Sequence, residues 1–323
     1  MKKIAIIGPI HKDGWAVFKK LNFDVFEITN LSRENLIKQL KDIDGIALRT
    51  ANLDSNIMKE CPKLKIVSRH GVGYDNVDTS YLNKNKLALA VTGTSNAVSV
   101  AEHVLTMFLY LSKNIHLSDA LTKNGDFDKK TTLPNFFELF QKNILIMGFG
   151  RIGQAVTKRC LGFECNVYVY DPFVNEKTIE ENNCKKIDFL KGIEIADFIT
   201  IHMPLSKETK NLIAIEELKI MKKNCILINT ARGGIINEED LLWALTNDEI
   251  RAAGLDVFTT EPPSKNNPLL KLDNILLSPH NAALTLECRR RMAIETAENI
   301  AFYLEDKKKL NKKNIVNRKI IGL

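Results

Sequence analysis

The sequence predicts an α/β protein of two domains, each built on a parallel sheet. Three observations carry this. In residues 1–95, short apolar stretches alternate with amphipathic ones, a β-α-β-α rhythm that puts helices on the faces of a parallel sheet. Near the middle, a second apolar run, Ile144–Met147, breaks into a glycine-rich turn and a helical pattern comes at once after it. The chain has 323 residues, whereas single hydrophobic cores rarely grow past about 250–300.

The first half supplies candidate strands at Ile4–Ile7, Asp24–Ile28, Gly45–Leu48, Lys65–Ser68 and Ala88–Val91. Amphipathic segments lie between them at Trp15–Lys20, Arg33–Lys41 and Asn56–Glu60. Met1-Lys2-Lys3 followed by apolar residues resembles the start of a secretory signal, but the apolar segment ends at Gly8-Pro9 and reads as a strand. Ligands of such sheets collect at the carboxyl ends of the strands. Two stretches fall there, Leu48-Arg49-Thr50-Ala51-Asn52 and Ser68-Arg69-His70-Gly71-Val72-Gly73-Tyr74-Asp75. The second is either an anion nest of backbone N–H groups or a plain turn with surface charges. A long helix runs from Asn96 to about Lys113, with Asn96 or Ser99 as its cap. His103 beside Glu102 reads as a packing residue rather than a catalytic one. The polar stretch Lys123–Asn135 is long for a loop and marks an arm or a mobile segment.

Gly148-Phe149-Gly150-Arg151-Ile152-Gly153 is a G-x-G-x-x-G turn between a strand and a helix. Gly148 allows the tight turn, Gly150 lets backbone approach a pyrophosphate, and Gly153 lets the helix sit close on the strand. The helix N-terminus offers N–H groups and a positive dipole end to phosphates. The next strand, Asn166–Tyr170, ends in Asp171, whose carboxylate suits ribose hydroxyls and repels an extra 2′-phosphate. The expectation is therefore NAD rather than NADP, against a chance glycine turn. The first half has only Gly8-Pro9 after its first strand and is no second dinucleotide site.

Further strands recur at Phe198–Ile201, Cys225–Ile228, Ala253–Leu255 and Ile275–Leu277, and their trailing loops share the carboxyl edge with the glycine turn. Those loops carry Arg232, Glu261 and His280. Each has an ordinary explanation alone, as a turn cap, a solvated acid or a loop histidine. Together they suit reduction of a 2-oxo acid, with a planar cation for the carboxylate, a proton donor for the carbonyl oxygen and a carboxylate that orients the donor. A last helix, about Leu286–Leu304, leaves this half, and the chain end returns to the first.

Composition narrows the alternatives. Hydrophobic residues make up 45% and charged residues 26%, ordinary for a soluble globular chain, and no apolar run approaches the ~20 residues of a membrane span. The six cysteines show no C-x-x-C spacing, which reads as buried thiols of a reduced, cytoplasmic protein with neither disulfide framework nor metal site. The net charge of +7 is spread along the chain with its densest cluster at Lys307–Lys313; it reads as a solvated face or a field for an anionic substrate, not a nucleic-acid surface.

At this point the chain resembles the D-isomer-specific 2-hydroxyacid dehydrogenases, and among them most the short phosphoglycerate dehydrogenases. The resemblance runs through Gly148–Gly153 with Asp171, His202-Met203-Pro204-Leu205, Asn229-Thr230-Ala231-Arg232-Gly233-Gly234, Gly254-Leu255-Asp256-Val257-Phe258 with Glu261-Pro262, and Ser278-Pro279-His280. It implies a Rossmann NAD-binding domain, residues 96–289, inserted into a flavodoxin-like substrate domain formed by residues 1–95 and 290–323, with the active site in the crevice between them. It also implies a homodimer built by the cofactor domains. Arg232, Glu261 and His280 become the catalytic set. The cofactor falls to Gly148, Gly150, Arg151, Ile152, Gly153, Asp171, Pro204, Thr209, Thr230, Ala231, Asp256 and Ala282, and the substrate to Arg49, Val72, Gly73 and Asn96. Two departures stand out. Asn281-Ala282-Ala283 replaces the frequent Ile-Ala-Gly, and Gln141-Lys142 replaces a common Gly-Lys. The chain stops at Leu323, which implies no C-terminal regulatory domain and no serine feedback through one.

Arg49, with Arg69 and His70, suggests a cationic pocket for a second anionic group, as in 3-phosphoglycerate/3-phosphohydroxypyruvate or a sulfonated hydroxy acid. Glyoxylate or hydroxypyruvate reduction is the alternative. A non-enzymatic NAD sensor is a remoter one, disfavoured by the intact triad. Formate oxidation is disfavoured because Glu261 stands where those enzymes carry an amide.

Overall fold

The computed structural model describes all residues, Met1–Leu323. The chain forms two compact units, residues 1–96 with 284–323, and residues 97–283.

The first unit is organised on five parallel strands: β1 (Lys3–Ile7), β2 (Asp24–Ile28), β3 (Gly45–Leu48), β4 (Ile66–Arg69) and β5 (Ala88–Ala90), in the order β2-β1-β3-β4-β5. β1, β3 and β5 lack the alternation of a one-sided sheet because both their faces are covered. The helix Leu286–Glu305, capped by the Thr285 hydroxyl, packs on one face beside the helix Lys12–Lys20. Close approach there needs small residues: a Cβ on Gly14 would stand 2.7 Å from the Ala293 carbonyl oxygen. The chain end closes on the edge strand, where Ala90 bridges Ile315 and the Asn317 side chain accepts from the Leu89 N–H at 3.0 Å.

The second unit carries seven parallel strands: β6 (Asn143–Met147), β7 (Asn166–Tyr170), β8 (Lys185–Lys186), β9 (Phe198–Ile201), β10 (Ile226–Asn229), β11 (Ala252–Leu255) and β12 (Ile275–Leu277). Their order is β12-β11-β10-β9-β6-β7-β8, so the direction of winding reverses between β6 and β9, directly beside the glycine turn. Cofactors of open parallel sheets bind at such a switch point. Apolar clusters fill both faces of the sheet, one of them around the helix Ala97–Lys113 and the other around Leu218, Leu241 and Leu245.

The two sheets are those expected, with shifts of a residue or two at strand ends. β8 carried no apolar signal because it consists of two exposed lysines. The stretch Lys123–Asn135 is more ordered than expected: a helix Ile115–Lys123 starts behind the left-handed Asn114, and a 3₁₀ segment spans Phe127–Thr132. Arg251 anchors the segment beyond it by donating to the Asn135 carbonyl at 2.7 Å and stacking over the Phe137 ring. No helix is long and apolar enough to cross a membrane. All six cysteines are buried and none forms a disulfide; burial pushes the thiols of Cys61, Cys165 and Cys184 up to about 11.

Candidate active site

The glycine turn after β6 has three separate geometric demands. Gly148 sits at φ +98°, and a Cβ there would stand 2.9 Å from the His202 carbonyl. A Cβ on Gly153 would fall 2.1 Å from the Gly148 oxygen, so this glycine sets how closely the helix Arg151–Gly162 meets the strand. Gly150 faces nothing within 4 Å and caps the helix with no side chain, which leaves the first-turn N–H groups at Ile152 and Gly153 to an outside acceptor. At the end of β7, Asp171 Oδ2 accepts from the Phe149 N–H and Oδ1 from the Phe173 N–H, both at 2.8 Å. The acid thus braces the turn and keeps lone pairs for hydroxyl donors. The loop after β9 packs below. Burial holds the His202 imidazole down at about 3, its ring Nε2 lies 2.9 Å from the Thr200 hydroxyl, and its Nδ1 is buried without a partner. Thr209 folds this loop back by donating to the Pro204 carbonyl at 2.7 Å.

Arg232, Glu261 and His280 lie beyond β10, β11 and β12, three neighbouring strands with all carboxyl ends on one edge. The Asn229 side chain shapes the first loop, accepting from the Ala231 N–H and donating to the Arg232 carbonyl. Arg232 Nη1 donates to the Ala231 carbonyl at 2.6 Å, and the Thr230 hydroxyl is buried without a partner. Gly233 was missed in the sequence as a site residue. A Cβ on it would overlap the Phe258 carbonyl at 1.9 Å, so only glycine lets the arginine loop lie against the glutamate loop. The signal was present in the Arg-Gly-Gly string, but nothing in the string says which backbone approaches.

Glu261 and His280 meet. The ring Nδ1 lies 2.7 Å from Glu261 Oε2, and Oε1 accepts from the Phe258 N–H at 3.1 Å. The His280 side chain is 50% exposed and that of Glu261 37%, so the pair stands at the surface of its own unit with Nε2 turned away from the glutamate contact. Asp256 is different: it is 1% exposed, its Oδ1 accepts from the Ser278 hydroxyl (2.6 Å) and the Asn281 N–H (2.9 Å), and its Oδ2 from the Ala282 N–H (3.1 Å). The departure at Asn281-Ala282-Ala283 is thereby explained, since these contacts are made by backbone and tolerate other side chains. His103 packs against this loop through Ser278, as expected of a packing residue.

In the first unit, Arg49 comes directly after β3, and Val72-Gly73 lie in the loop after β4. The expected cationic pocket needs correcting. Arg69 is spent on its own loops: Nε donates to the Gly73 carbonyl (2.7 Å) and Nη1 to the carbonyls of Leu48 and Arg49. His70 is 8% exposed with Nε2 unpartnered, and burial, then Arg49 and Arg69, hold it down at about 4; it is neutral at pH 7. Two of the three expected cations are thus a brace and a neutral ring. Arg49 makes one long contact, 3.5 Å, to the Pro9 carbonyl. Asn96 is buried with its side-chain oxygen unpartnered, so a hydrogen-bond acceptor there awaits a donor.

Residues 105–282 match the model of the D-isomer specific 2-hydroxyacid dehydrogenase, NAD binding domain. This chain belongs to that family. Among similar proteins, the D-3-phosphoglycerate dehydrogenase of Methanocaldococcus jannaschii is 35% identical over 98% of this chain, which spans 60% of that protein's length. The hydroxypyruvate reductase of Thermotoga maritima is 33% identical, with 92% of this chain and 97% of the relative covered. A crystal structure of the NAD-dependent formate dehydrogenase from Staphylococcus aureus in complex with NAD superposes with a TM-score of 0.83 at 28% identity, covering 97% and 98% of the two chains. The family's NAD-binding domain is thus the second unit's sheet with its switch point. Its features fit the dinucleotide: open space at Gly150, uncapped N–H groups, an acid closing β7 and an orphan hydroxyl at Thr230.

Proposed function

We propose that this chain is an NAD-dependent dehydrogenase that interconverts a D-2-hydroxy acid and its 2-oxo acid. The observation that carries the reading is the Glu261–His280 pair on a unit with a dinucleotide turn. Gly148, Gly150, Arg151, Ile152, Gly153, Asp171, Pro204, Thr209, Thr230, Ala231, Asp256 and Ala282 would hold NAD(H), which when bound would supply or take the hydride at C2. His280 moves the one proton, at the C2 oxygen. With Nδ1–H donating to Glu261, Nε2 is the atom that gives a proton to the carbonyl oxygen or takes one from the hydroxyl. Glu261, fixed by the Phe258 N–H, keeps the ring oriented and offsets positive charge on it. Arg232 pairs with the carboxylate and the reacting oxygen, and the Val72 and Gly73 N–H groups and Asn96 complete carboxylate recognition.

For the remote end of the substrate, Arg49 favours an anionic group, which makes 3-phosphoglycerate/3-phosphohydroxypyruvate the first choice. Glyoxylate or hydroxypyruvate is the second, favoured by the neutrality of His70 and the commitment of Arg69. Glu261 in place of an amide speaks against formate. A homodimer through the NAD-binding unit and a reducing, cytoplasmic setting complete the reading; exposed Ile115, Phe127, Phe136 and Phe140 support the first and six cysteines outside any disulfide the second.

The test is initial rates with NADH against 2-oxo acids with and without a terminal phosphate. Turnover of none defeats the reading. Arg49→Ala is expected to raise KM for the phosphorylated substrate about tenfold or more and leave glyoxylate within about twofold. Equal changes for both would transfer the assignment to the small acids.

A further inference from the structure

His280 is held in an unfavourable backbone conformation, and the groups that hold it reach across the unit. Its φ is +51°, a left-handed geometry that non-glycine residues rarely adopt. The loop keeps it because the buried Asp256 carboxylate grips both flanks, through the Ser278 hydroxyl before the histidine and the Asn281 and Ala282 N–H groups after it.

The chain of contacts continues to the helix Ala97–Lys113. His103 Nε2 lies 3.0 Å from Ser278 Oγ and 3.9 Å from Asp256 Oδ1. A serine hydroxyl has one proton, and at 2.6 Å from an acceptor-only carboxylate oxygen that proton points at Asp256. Ser278 Oγ is then an acceptor toward the imidazole, so Nε2 of His103 must carry a hydrogen. The order is therefore directional: His103 donates to Ser278 and Ser278 to Asp256, while Asp256 gathers the loop that presents His280. A hydroxyl polarised by one donor is a better donor itself.

We propose that His103 and Ser278 are positioning residues for His280, forming a donor relay that clamps the 278–282 loop and aims the ring. This rests on the assignment of His280 as the proton-transfer group. Neither residue touches the reacting atoms, and their effect is on how often His280 stands in reach of the substrate oxygen, where small misplacements are costly.

The experiment compares Ser278→Ala, Ser278→Thr and His103→Gln with the wild type by kcat, KM, NADH affinity, melting temperature and ¹⁵N spectra of the histidine rings. Ser278→Ala is expected to lower kcat about 10- to 100-fold with KM and NADH affinity changed far less, and to broaden or split the His280 ring signals. Ser278→Thr, which keeps the hydroxyl, and His103→Gln, which keeps an N–H donor, should recover most of the activity. The His103 ring should show a protonated Nε2 in the wild type. A bare Nε2, or unchanged His280 signals in Ser278→Ala, overturns the relay whatever the turnover. So does a lowered melting temperature with wild-type kcat. Absence of 2-oxo acid reduction by the wild type would instead strike the proposed function and leave the ring spectra to decide the relay.

Discussion

Both sheets end their strands in loops that carry arginine and histidine, yet the two edges treat these residues in opposite ways. After β3 and β4, Arg69 is turned onto the carbonyls of Leu48, Arg49 and Gly73, and His70 is buried and neutral. After β10 to β12, His280 stands half exposed against a carboxylate. In the first unit the cation is a brace that shapes backbone, so the recognition proposed above is left to N–H groups and Arg49. In the second, the ionisable side chain itself faces outward, paired so that one ring nitrogen is fixed and the other is available. The same architecture thus yields one edge whose ionisable side chains are committed or neutral and one whose histidine is paired and half exposed.

The comparison is broken most sharply at His280. His280→Ala should lower kcat for 2-oxo acid reduction by about 10²–10⁴-fold with NADH affinity retained, measured by steady-state rates and cofactor fluorescence. Wild-type turnover in that variant would remove the proton-moving edge from the contrast. Next in size is Gly233→Ala, which puts a methyl group into the Phe258 peptide. It should cost about 3 kcal/mol, read by urea unfolding, because the loops bearing Arg232 and Glu261 must separate to accept it.

The buried edge is tested by pH. His70 titrates at about 4 in the folded chain against 6.5 when free, so across that window the unfolded chain binds a proton that the folded one refuses. Its contribution to stability is complete above pH 6.5 and declines as pH falls toward 4. Between pH 6.5 and 5 the loss from this group is about 2 kcal/mol, and His70→Asn should remove that part of the pH dependence in urea titrations. A variant with the wild-type slope would mean that His70 is not the buried neutral ring of the contrast. The smallest effect lies at Gln141, which adopts φ +56°. Gln141→Gly should raise stability by about 0.5–1 kcal/mol, with activity unchanged.

Much of this was legible in residue order. Strand periodicity, the glycine spacing, Asp171 at the end of β7 and the three loops bearing Arg232, Glu261 and His280 all come from local chemistry, because hydrophobic period and turn residues act over a few neighbours. Sequence could not reach the facts set by distant neighbours. Two lysines form β8 only because an edge of β7 is there to pair with. Whether Arg69 and His70 are cations facing a ligand or a brace and a neutral ring depends on which carbonyls and how much burial surround them. Gly233 is required by a peptide 25 residues away, and His103 gains its partner from a loop 175 residues further on. The chain by itself determined the two parallel sheets, the dinucleotide turn and the residues able to carry proton and charge. Only the tertiary structure decided which of those residues are charged, which are spent on their own backbone and which remain for chemistry, since desolvation and hydrogen-bond partners are properties of the packed molecule.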